Sequence, residues 1–423
     1  MKMLCGPGLL SGSVRAIPSK SDAHRLLICA ALADRPTTLH LPGWQGEDIA
    51  ATLRCLTALG ASFAQRQDAI WVTPMAGPVP SPVLDCGESG STLRFLLPVA
   101  AALGCGAIFT GSGRLPQRPI GPLLEALEHG GVRASDRALP LRLEGKLRPG
   151  RYALPGDVSS QFITGLLLAL PLTGGGGEIE LLGPLESVGY VDMTRSSLSN
   201  FGVSVQASPK GYGVPPGQGY RSPGEAWAQG DWSNAAFFLV AGALAGPVRY
   251  EGLRLPSTQG DAAVFDILAR WGARMEAQAD RITVACGEAR RALTLDVREI
   301  PDLLPILAVA AAVTPGVTRF TNAARLRLKE SDRLASVARM IGGLGGRAWE
   351  EPEGLGVEGQ PALRGGSVHC AGDHRIAMAG AIAATLCSGE TVLEGAEAVN
   401  KSYPSFFEDF QKLGGKCHVL DAG

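Results

Sequence analysis

The sequence predicts an α/β protein built from six copies of one unit of about 70 residues. The first observation is a glycine that follows an amphipathic segment and precedes β-type residues. It recurs at intervals of 69 to 74 residues, at Gly60, Gly131, Gly202, Gly272, Gly346 and Gly415. A glycine in this setting is typical of the residue just past a helix C-terminus. The series therefore predicts six similar helices, each followed by strands.

The second observation is an element that begins with a polar residue, continues with about a dozen small and apolar residues, and ends in a strand. Its starts lie near Ser21, Ser91, Ser160, Ser233, Asp302 and Asp373. These helices are apolar on nearly all sides, so we expect them to be enclosed rather than half exposed. The unit is then an apolar helix, a strand, an amphipathic helix and two strands. Since conventional solenoid repeats are shorter, closed lobes are favoured over a rod.

Length and charge exclude several classes of protein. A chain of 423 residues is longer than one hydrophobic core usually serves, so two domains or a repeat array are expected. The 39 Lys and Arg residues nearly balance the 40 Asp and Glu residues, which leaves no global field for nucleic acid or a membrane. No apolar run approaches the ~18 residues that span a bilayer.

Targeting and redox signals favour a cytoplasmic protein. Residues 1–13 lack the apolar core of a signal peptide. The nine cysteines are scattered, without a C-x-x-C motif or a Cys/His cluster, which argues against a zinc site or a disulfide framework. We therefore expect reduced, mostly buried thiols and no bound metal.

Polar and charged residues concentrate where the six apolar helices begin. They are Lys20, Ser21, Arg25, Ser89, Gly90, Ser91, Arg94, Ser159, Ser160, Gln161, Asp231, Ser233, Asn234, Asp302, Asp373, His374 and Arg375. Helix capping is the simpler interpretation of each Ser or Asp alone. It does not explain Lys or Arg in a first turn, where the helix dipole disfavours cations. Helix N-termini with added cations form phosphate and carboxylate sites, so the set predicts a ligand with several negative charges.

Further ionisable residues lie in loops. Arg118 lies between two prolines, which would stiffen the backbone around one cation. Lys329, Glu330 and Arg333 open an amphipathic helix, where they could instead form a solvated face with ion pairs. Lys401 also precedes a helix and, taken alone, is typical of a surface residue. No P-loop or dinucleotide-binding fingerprint supports an alternative phosphate site.

Ten segments along the chain resemble the 5-enolpyruvylshikimate-3-phosphate synthase family. They are PSKSDAHR (18–25), CGESGSTLR (86–94), LPQRPIG (115–121), GDVSSQF (156–162), ESVGYVDMT (186–194), GDWSNAAFF (230–238), IPDLLP (300–305), RLKESDR (327–333), GDHRIAMA (372–379) and KSYPSFFEDF (401–410). They cover the whole chain in the family's order and spacing. The segments GDHR, RLKESDR and SSQF are specific when found together.

The resemblance implies the two-lobed enolpyruvyl transferase fold, an α/β fold with six β-α-β-α-β-β repeats, three in each lobe. It is described as an inside-out barrel, with buried helices. The first lobe would span 19–228 and hold repeats 1–3. The second would comprise 1–18 and 229–423 and hold repeats 4–6, with hinge crossovers near 18 and 229. The lobes would close over the substrates, and shikimate 3-phosphate alone would close them at least partly.

The resemblance also implies a reaction. The enolpyruvyl group of phosphoenolpyruvate would move to the 5-hydroxyl of shikimate 3-phosphate, with release of phosphate through a tetrahedral intermediate, as a step of aromatic amino acid biosynthesis in the shikimate pathway. No metal or organic cofactor is implied. The partners would be these small-molecule substrates only, with no nucleic acid and no membrane, and the protein would be a monomer.

The family's residue roles transfer onto matching positions of this sequence. Asp302 would take the proton from the 5-hydroxyl, and Glu330, with Lys20 nearby, would manage the protons at the enol methylene carbon. The resemblance assigns shikimate 3-phosphate to Lys20, Ser21, Arg25, Ser159, Ser160, Gln161, Ser187, Asp302 and Lys329. It assigns phosphoenolpyruvate to Lys20, Gly90, Arg118, Gln161, Arg333, Arg375 and Lys401. Supporting roles would fall to Glu47, Arg94, Tyr190 and His374.

Gly90 has two open interpretations. It is either a turn glycine with positive φ, or a residue whose missing Cβ lets phosphoenolpyruvate approach the helix closely. Glyphosate is expected, from the family, to occupy the same site and to extend slightly further. Three residues depart from the family pattern: Glu88, Phe95 and Arg325 stand where many members have Asn, Pro and Asn. These differences would affect substrate affinity and inhibitor response, and not the fold or the reaction.

Two other functions stay open. The UDP-N-acetylglucosamine enolpyruvyl transferases share the fold and the donor, but usually carry a Cys in the loop that here reads RLPQR (114–118), and an early Lys-Asn pair where this chain has SKS. A non-catalytic phosphometabolite-binding protein is the third possibility. Asp302 and Glu330 argue against it, since carboxylates hinder the binding of polyanions.

Overall fold

The computed structural model describes residues 1–44 and 46–420, so the last three residues of the expected second lobe lie outside the described part. The described residues form twelve α-helices: α1 (Lys20–Ala31), α2 (Glu47–Leu59), α3 (Gly90–Leu103), α4 (Gly121–His129), α5 (Ser160–Ala169), α6 (Val188–Asn200), α7 (Trp232–Leu244), α8 (Val264–Trp271), α9 (Leu304–Ala312), α10 (Arg333–Gly343), α11 (His374–Thr385) and α12 (Phe406–Lys412). None of these twelve combines the length and the apolar character that crossing a membrane requires.

The strands of the described residues form six four-stranded sheets. They are β1 (Lys2–Gly6), β2 (Gly12–Arg15), β3 (Thr37–His40), β4 (Ser62–Arg66), β5 (Ala69–Thr73), β6 (Val83–Asp85), β7 (Ile108–Thr110), β8 (Val132–Ala134), β9 (Leu141–Gly145), β10 (Gly150–Pro155), β11 (Gly177–Leu182), β12 (Gln206–Ser208), β13 (Gly211–Val214), β14 (Glu225–Trp227), β15 (Val248–Glu251), β16 (Arg274–Gln278), β17 (Arg281–Ala285), β18 (Thr294–Asp296), β19 (Val317–Thr321), β20 (Arg347–Glu351), β21 (Gly354–Glu358), β22 (Gly366–His369), β23 (Thr391–Glu394) and β24 (Lys416–Leu420).

The sheets share one strand order. In the second repeat the order is β6-β7-β9-β8, in which β6 and β7 are parallel and β9 pairs antiparallel with both β7 and β8. The apolar helix α3 connects the parallel strands, and the amphipathic helix α4 leads into the hairpin. The third and fifth repeats have the same order, β10-β11-β13-β12 and β18-β19-β21-β20. The predicted β-α-β-α-β-β repeat is confirmed.

Three sheets take one strand from a distant part of the chain. β14 pairs in parallel with β3 and supplies the first strand of the first repeat. β2 pairs in parallel with β15 and does the same for the fourth repeat. β1 lies between β23 and β24 and joins them into the sheet of the sixth repeat. The crossover and the N-terminal segment are therefore held by sheet hydrogen bonds.

The chain divides into two compact units, Pro18–Gln229 and Met1–Ile17 with Gly230–Gly423. Each unit has its own continuous apolar core. The apolar helices are enclosed as predicted: every residue of α9 and α11 is buried. No sheet of the described residues closes on itself, so the structure has six small open sheets and no closed barrel. The sequence-based boundaries were 18 and 229; the hinges and the closure of the lobes stay predictions.

The repeating glycines confirm the predicted helix ends in four repeats and correct them in two. Gly60 and Gly272 follow α2 and α8 with left-handed backbone, at φ of 113° and 116°. After α10 and α12, however, the left-handed residues are Gly345 and Gly414, one position before the glycines predicted. Gly346 and Gly415 are instead required by space, because a Cβ there would lie 2.7 Å from a side-chain atom of Ile341 and would overlap the ring of Phe410, respectively.

Candidate active site

The N-terminal ends of α1, α3 and α5 carry most of the predicted anion-binding residues of unit 18–229. Ser19, Ser89 and Ser159 cap these helices, and each hydroxyl accepts a hydrogen bond from a backbone N–H two or three residues later. Capping is therefore confirmed as a role of Ser89 and Ser159. The residues after the caps begin the helices, where unpaired N–H groups and the helix dipole favour an anion.

Lys20, the first residue of α1, is held by a carboxylate from the next helix. Its Nζ lies 2.7 Å from Oδ2 of Asp48, and both side chains are mostly buried. This ion pair offsets the unfavourable interaction of an ammonium group with the helix dipole. The neighbouring Glu47 begins α2 and is exposed.

Arg25 is a buried cation whose side chain hydrogen-bonds to neutral groups. It is 1% exposed; Nε donates to Oγ1 of Thr194 at 2.8 Å, and Nη2 donates to the carbonyl of Tyr190 at 2.9 Å and to Oγ1 of Thr164 at 3.3 Å. Burial lowers the pKa of Arg25 to about 10, although the carboxylate of Asp22 opposes this. An added anion would stabilise such a cation strongly, because a buried charge is costly without a counter-charge.

Thr164 and Thr194 could not be singled out from the sequence, because a single Thr within a helix has no distinguishing pattern. The residue Phe95, which departs from the family pattern, also contacts this site. Its ring centroid lies 5.0 Å from Cζ of Arg25, which is a cation–π distance. Of the other departures, Glu88 is exposed, and Arg325 donates a hydrogen bond to the carbonyl of Arg298.

Gln161 connects α5 to α3 through both ends of its amide. Its Oε1 accepts from Nη1 of Arg94 at 2.7 Å, and its Nε2 donates to Oγ of Ser91 at 2.9 Å. Nη2 of Arg94 also donates to the carbonyl of Pro119 at 3.1 Å, just after Arg118. Arg94 therefore joins the helix starts to the Arg118 loop, which fits the supporting role predicted for it.

Gly90 and Arg118 are in direct contact. The structure corrects only the interpretation of Gly90 as a turn glycine; the close approach of phosphoenolpyruvate stays a prediction. Gly90 begins α3 and does not have positive φ, so it is not a turn glycine. A Cβ at Gly90 would lie 2.6 Å from Nη1 and 2.8 Å from Cζ of Arg118. The missing side chain makes room for the Arg118 guanidinium, which lies over the first turn of α3. The space next to Gly90 is therefore filled by a cation of the protein.

The remaining predicted residues of this unit lie at the starts of α1, α5 and α6. The carbonyl of Ser21 accepts from Nη1 of Arg25 at 2.5 Å. Ser160 is buried at the first position of α5. Ser187 precedes α6 and is buried, with left-handed backbone at φ 59° and ψ 49°. Such a conformation is uncommon for a residue other than glycine and is often found at functional sites.

In the other unit, the guanidinium of Arg333 forms ion pairs with three carboxylates. Its side chain is 1% exposed; Nε donates to Asp373 at 2.9 Å, Nη2 donates to Glu330 at 2.7 Å, and Nη1 donates to Asp302. Burial alone would lower the pKa of Arg333, but Asp373, Glu330 and Asp302 outweigh it and raise the pKa well above its usual value. Arg333 thus holds both of the predicted proton-transfer carboxylates. The structure gives it a positioning contact in addition to the predicted role in binding phosphoenolpyruvate.

Asp302 lies in the turn before α9 and faces three cations. Besides Arg333, Nη2 of Arg375 donates to its Oδ2 at 3.1 Å, and Nζ of Lys329 lies 3.6 Å from Oδ1. Burial raises the pKa of Asp302, but Arg375, Lys329 and Arg333 together outweigh burial and hold the pKa well below its ordinary range. Asp302 is therefore ionised at neutral pH and, with these cations in place, only weakly basic.

The start of α11 and the segment before α12 supply the other predicted residues of this unit. The cap Asp373 accepts from the backbone N–H of Arg375 at 3.0 Å. His374 is buried beside it. Nζ of Lys401 donates to the carbonyl of Gly372 at 2.8 Å, so Lys401 lies next to this helix start and is not an isolated surface residue.

Each unit thus presents a different chemistry. Unit 18–229 offers helix N-termini and cations, which suit phosphate and carboxylate groups. The other unit adds Asp302 and Glu330, two carboxylates suited to moving protons. In the described part of the chain, no group of three or more His, Cys, Asp or Glu side chains could hold a metal ion.

Comparison with solved structures assigns the fold to the enolpyruvyl transferases. A structure titled EPSP synthase from Acinetobacter baumannii matches with a TM-score of 0.84 and 25% identity, covering 99% of this chain and 100% of that one. The enolpyruvyl transferase NikO from Streptomyces tendae matches in fold, with a TM-score of 0.80 and 22% identity over 100% of this chain and 99% of that one.

The sequence comparisons identify the family. A family model for EPSP synthase (3-phosphoshikimate 1-carboxyvinyltransferase) matches residues 4–410. The protein from Clostridium kluyveri named 3-phosphoshikimate 1-carboxyvinyltransferase is 40% identical over 99% of this chain and 98% of its own. The protein of the same name from Halobacterium salinarum is 42% identical over 98% and 99%. The chain belongs to the EPSP synthase family, as the sequence segments predicted.

Proposed function

We propose that this protein transfers the enolpyruvyl group of phosphoenolpyruvate to the 5-hydroxyl of shikimate 3-phosphate and releases phosphate. The observation that carries this proposal is the contact of a single buried arginine, Arg333, with both Asp302 and Glu330. The reaction needs one group to remove a hydroxyl proton and another to add and remove a proton at carbon. Two carboxylates fixed by one cation supply this pair in a defined geometry.

The first step is an addition. Glu330, with Lys20 assisting, delivers a proton to C3 of phosphoenolpyruvate, which leaves positive charge at C2. The 5-hydroxyl oxygen bonds to C2, and its proton passes to Asp302. The product is a tetrahedral intermediate in which C2 bears a methyl group, a carboxylate, the phosphate and the shikimate oxygen.

The second step is an elimination. The methyl group returns a proton to Glu330, the C2–C3 double bond forms again, and the bond from C2 to the phosphate oxygen breaks. Phosphate therefore leaves with the bridging oxygen and takes up the proton that Asp302 received from the 5-hydroxyl, which returns Asp302 to its ionised form. Excluding water from the site protects the intermediate from side reactions.

Binding of the substrates also changes the basicity of Asp302, through the cations around this carboxylate. Arg375, Arg333 and Lys329 are the residues proposed to hold the anionic groups of the substrates. When they share their charge with these anions, they stabilise the ionised form of Asp302 less, and its pKa rises. The base becomes stronger when the substrates are present.

The proposed binding roles follow the predicted assignment. In unit 18–229, Ser21, Arg25, Ser159, Ser160, Gln161 and Ser187 bind shikimate 3-phosphate, and Lys20, Gly90, Arg118 and Gln161 bind phosphoenolpyruvate. In the other unit, Asp302 and Lys329 bind shikimate 3-phosphate, and Arg333, Arg375 and Lys401 bind phosphoenolpyruvate. The burial of Arg25 among neutral hydrogen-bond acceptors supports a phosphate-binding role for its guanidinium.

A phosphate-release assay with two acceptors tests the proposed function. The purified protein should release phosphate from phosphoenolpyruvate when shikimate 3-phosphate is added, and not when UDP-N-acetylglucosamine is added. Release with the nucleotide sugar alone would favour the sister reaction. Binding of both substrates without any release would favour a non-catalytic binding protein.

We also propose that the protein works as a cytoplasmic monomer. The nine cysteines are all free, and seven of them are buried. Reduced thiols in the core are typical of proteins from a reducing compartment. Size-exclusion chromatography with light scattering measures the oligomeric state directly, and a dimer mass would contradict the proposal.

The contact between Gly90 and Arg118 makes a first prediction. In Gly90→Ala, the added methyl displaces the Arg118 guanidinium, whose flexible side chain can move, so the protein stays folded and active. The displaced cation binds phosphoenolpyruvate less well and also narrows the space available. We expect a raised KM for phosphoenolpyruvate and a larger rise in the glyphosate inhibition constant. A clash with one methyl group costs about 1–3 kcal/mol of binding free energy. Steady-state kinetics with both ligands measure this.

Gly121→Ala is the matched control for Gly90→Ala. Gly121 also begins a helix, and a Cβ there has no atom of the described residues within 4 Å. The control should retain wild-type constants. Unchanged constants for both ligands in Gly90→Ala would refute the role of this contact.

The environment of Lys329 predicts a pH dependence. Burial lowers the pKa of Lys329 to about 8; Asp302 opposes this shift and Arg333 adds to it. The side chain is therefore a cation below pH 8 and becomes neutral above it. If its ammonium group binds the shikimate phosphate, the Kd for shikimate 3-phosphate should rise about fivefold between pH 8 and pH 9. Equilibrium titration at a series of pH values measures this change.

Lys329→Arg should remove this dependence, because guanidinium stays charged over the whole range. Lys416→Arg, a change at an exposed lysine of β24, should leave it unaltered. The same pH profile in wild type and Lys329→Arg would exclude Lys329 as its source.

A further inference from the structure

A third carboxylate, Asp261, lies beside the proposed proton-transfer site. It belongs to a short 3-10 helix, Gly260–Ala263, that precedes α8. It is 1% exposed, and its Oδ2 accepts a hydrogen bond from Oγ of Ser233, the second residue of α7. Its Oδ1 is buried and has no hydrogen-bond partner among the described residues. A buried carboxylate with one oxygen unsatisfied is costly, so its presence calls for an explanation.

Asp261 is connected to Arg375 through Ser233. Nη1 of Arg375 lies 3.5 Å from the carbonyl of Ser233, and Nη2 donates to Oδ2 of Asp302 at 3.1 Å. Ser233 thus contacts Arg375 through its backbone and Asp261 through its hydroxyl. Arg375 is itself buried, at 4% exposure, so its charge acts on both carboxylates through little water.

The charged groups around Asp261 oppose one another. Asp302 and Asp231, the cap of α7, repel its negative charge, and Arg375 attracts it. Burial, followed by repulsion from Asp302, raises the pKa of Asp261 to about 7; Arg375 and the hydrogen bond from Ser233 limit the rise. Lys329 and Arg333 lie next to Asp302 and stabilise that carboxylate directly. Asp261 therefore has both charge states available near neutral pH.

We propose that Asp261 is a positioning residue that sets, through its charge, how strongly Arg375 holds the anionic donor substrate. The inference rests on the proposed function, in which Arg375 binds phosphoenolpyruvate. When Asp261 is ionised, it competes with the substrate anion for the charge of Arg375. When it is protonated, this competition ends, and the substrate is held more tightly.

The charge of Asp261 determines in which direction the affinity for phosphoenolpyruvate changes with pH. An incoming anion favours the protonated form of Asp261, so binding takes up a proton when Asp261 is ionised beforehand. The affinity for phosphoenolpyruvate should therefore fall as the pH rises above about 7, by up to about tenfold by pH 8.5. The substrate phosphate also loses its second proton, near pH 6, which affects every variant equally.

Asp261→Asn tests this dependence. The amide is nearly isosteric and uncharged, like the protonated acid. We expect Asp261→Asn to lose the part of the pH dependence that Asp261 causes between pH 7 and pH 8.5, so that its Kd for phosphoenolpyruvate is about fivefold to tenfold lower than that of wild type at pH 8.5. Asp266→Asn, at an exposed position five residues later on α8, should behave like wild type. Identical profiles in wild type and Asp261→Asn would overturn the proposal.

Ser233→Ala supplies a second test if Asp261→Asn does not fold. It keeps the carboxylate but removes the hydroxyl that stabilises the ionised form. The pKa of Asp261 should then rise, and the pH at which the affinity begins to fall should rise with it. An unchanged midpoint would contradict the proposal, because a merely structural role of Asp261 predicts no such shift.

Binding and turnover are measured separately, so the role of Asp261 and the proposed reaction can be tested independently of each other. Binding is measured by tryptophan fluorescence in an equilibrium titration with phosphoenolpyruvate, since Trp232 is buried next to Ser233. Wild-type phosphate release tests the proposed function alone. Turnover without the difference between variants would overturn only the role of Asp261. Absence of turnover, with the difference still present in binding, would overturn only the proposed reaction.

Discussion

We expect Asp302→Asn to bind both substrates and to turn over about 10²- to 10⁴-fold more slowly than wild type. Arg333 and Arg375 donate to different oxygens of Asp302, so the amide keeps an oxygen for one of them, but it cannot take the proton of the 5-hydroxyl. Rate-limiting proton removal should thus lower kcat and leave the KM values within a fewfold of wild type. Single-turnover phosphate release measures the effect on chemistry directly.

Two controls distinguish loss of the base from loss of the fold in Asp302→Asn. Removing one charge from a buried cluster can cost about 3–5 kcal/mol of stability, so thermal unfolding of Asp302→Asn must show a folded protein at the assay temperature. Asp266→Asn, which removes an exposed carboxylate of the same unit, should retain full activity. A near-normal kcat in folded Asp302→Asn would exclude Asp302 as the base.

We expect a loss of similar size, about 10²- to 10⁴-fold in kcat, in Glu330→Gln. The amide oxygen can still accept from Nη2 of Arg333, so the cluster stays in place, but no proton can be delivered to the substrate carbon. The diagnostic readout is hydrogen exchange. In deuterated water, the wild-type reaction passes through a methyl group, and deuterium should appear in the methylene group of recovered phosphoenolpyruvate.

Glu330→Gln should slow this exchange in parallel with turnover. Glu353→Gln, at an exposed position of the same unit, should exchange like wild type. Exchange at the wild-type rate in Glu330→Gln would assign the proton transfer at carbon to another group, and Lys20→Met would then be the variant to compare.

The repeat architecture could be predicted from the sequence because each repeat carries the same local signals. The apolar helices begin within two residues of the predicted starts: α1 begins at Lys20, α5 at Ser160 and α11 at His374. Capping residues and apolar runs act over a few residues, so a single chain reveals them. The positions of β1, β2 and β14 could not be predicted in this way. These short strands gain their partners from segments far away in the sequence, and their pairing leaves no local pattern.

The residue types of the site could be predicted from the sequence, but several contacts between these residues could not. The cations and carboxylates of the family segments are close to the N-terminal ends of helices, as the sequence indicates. The sharing of Arg333 among three carboxylates could not be foreseen, because charge balance in a buried cluster depends on tertiary packing. Gly90 shows the same limit: its neighbours in sequence suggest a turn, whereas its neighbour in space is the guanidinium of Arg118.

The most direct test of enolpyruvyl transfer follows the bridging oxygen of phosphoenolpyruvate. Substrate labelled with oxygen-18 between C2 and phosphorus is incubated with the protein and shikimate 3-phosphate, and the products are analysed by mass spectrometry. Addition followed by elimination breaks the bond from carbon to oxygen, so the label should appear in inorganic phosphate, and the enolpyruvyl ether should contain none. Label retained in pyruvate, with shikimate 3-phosphate unchanged, would show cleavage at phosphorus and contradict enolpyruvyl transfer.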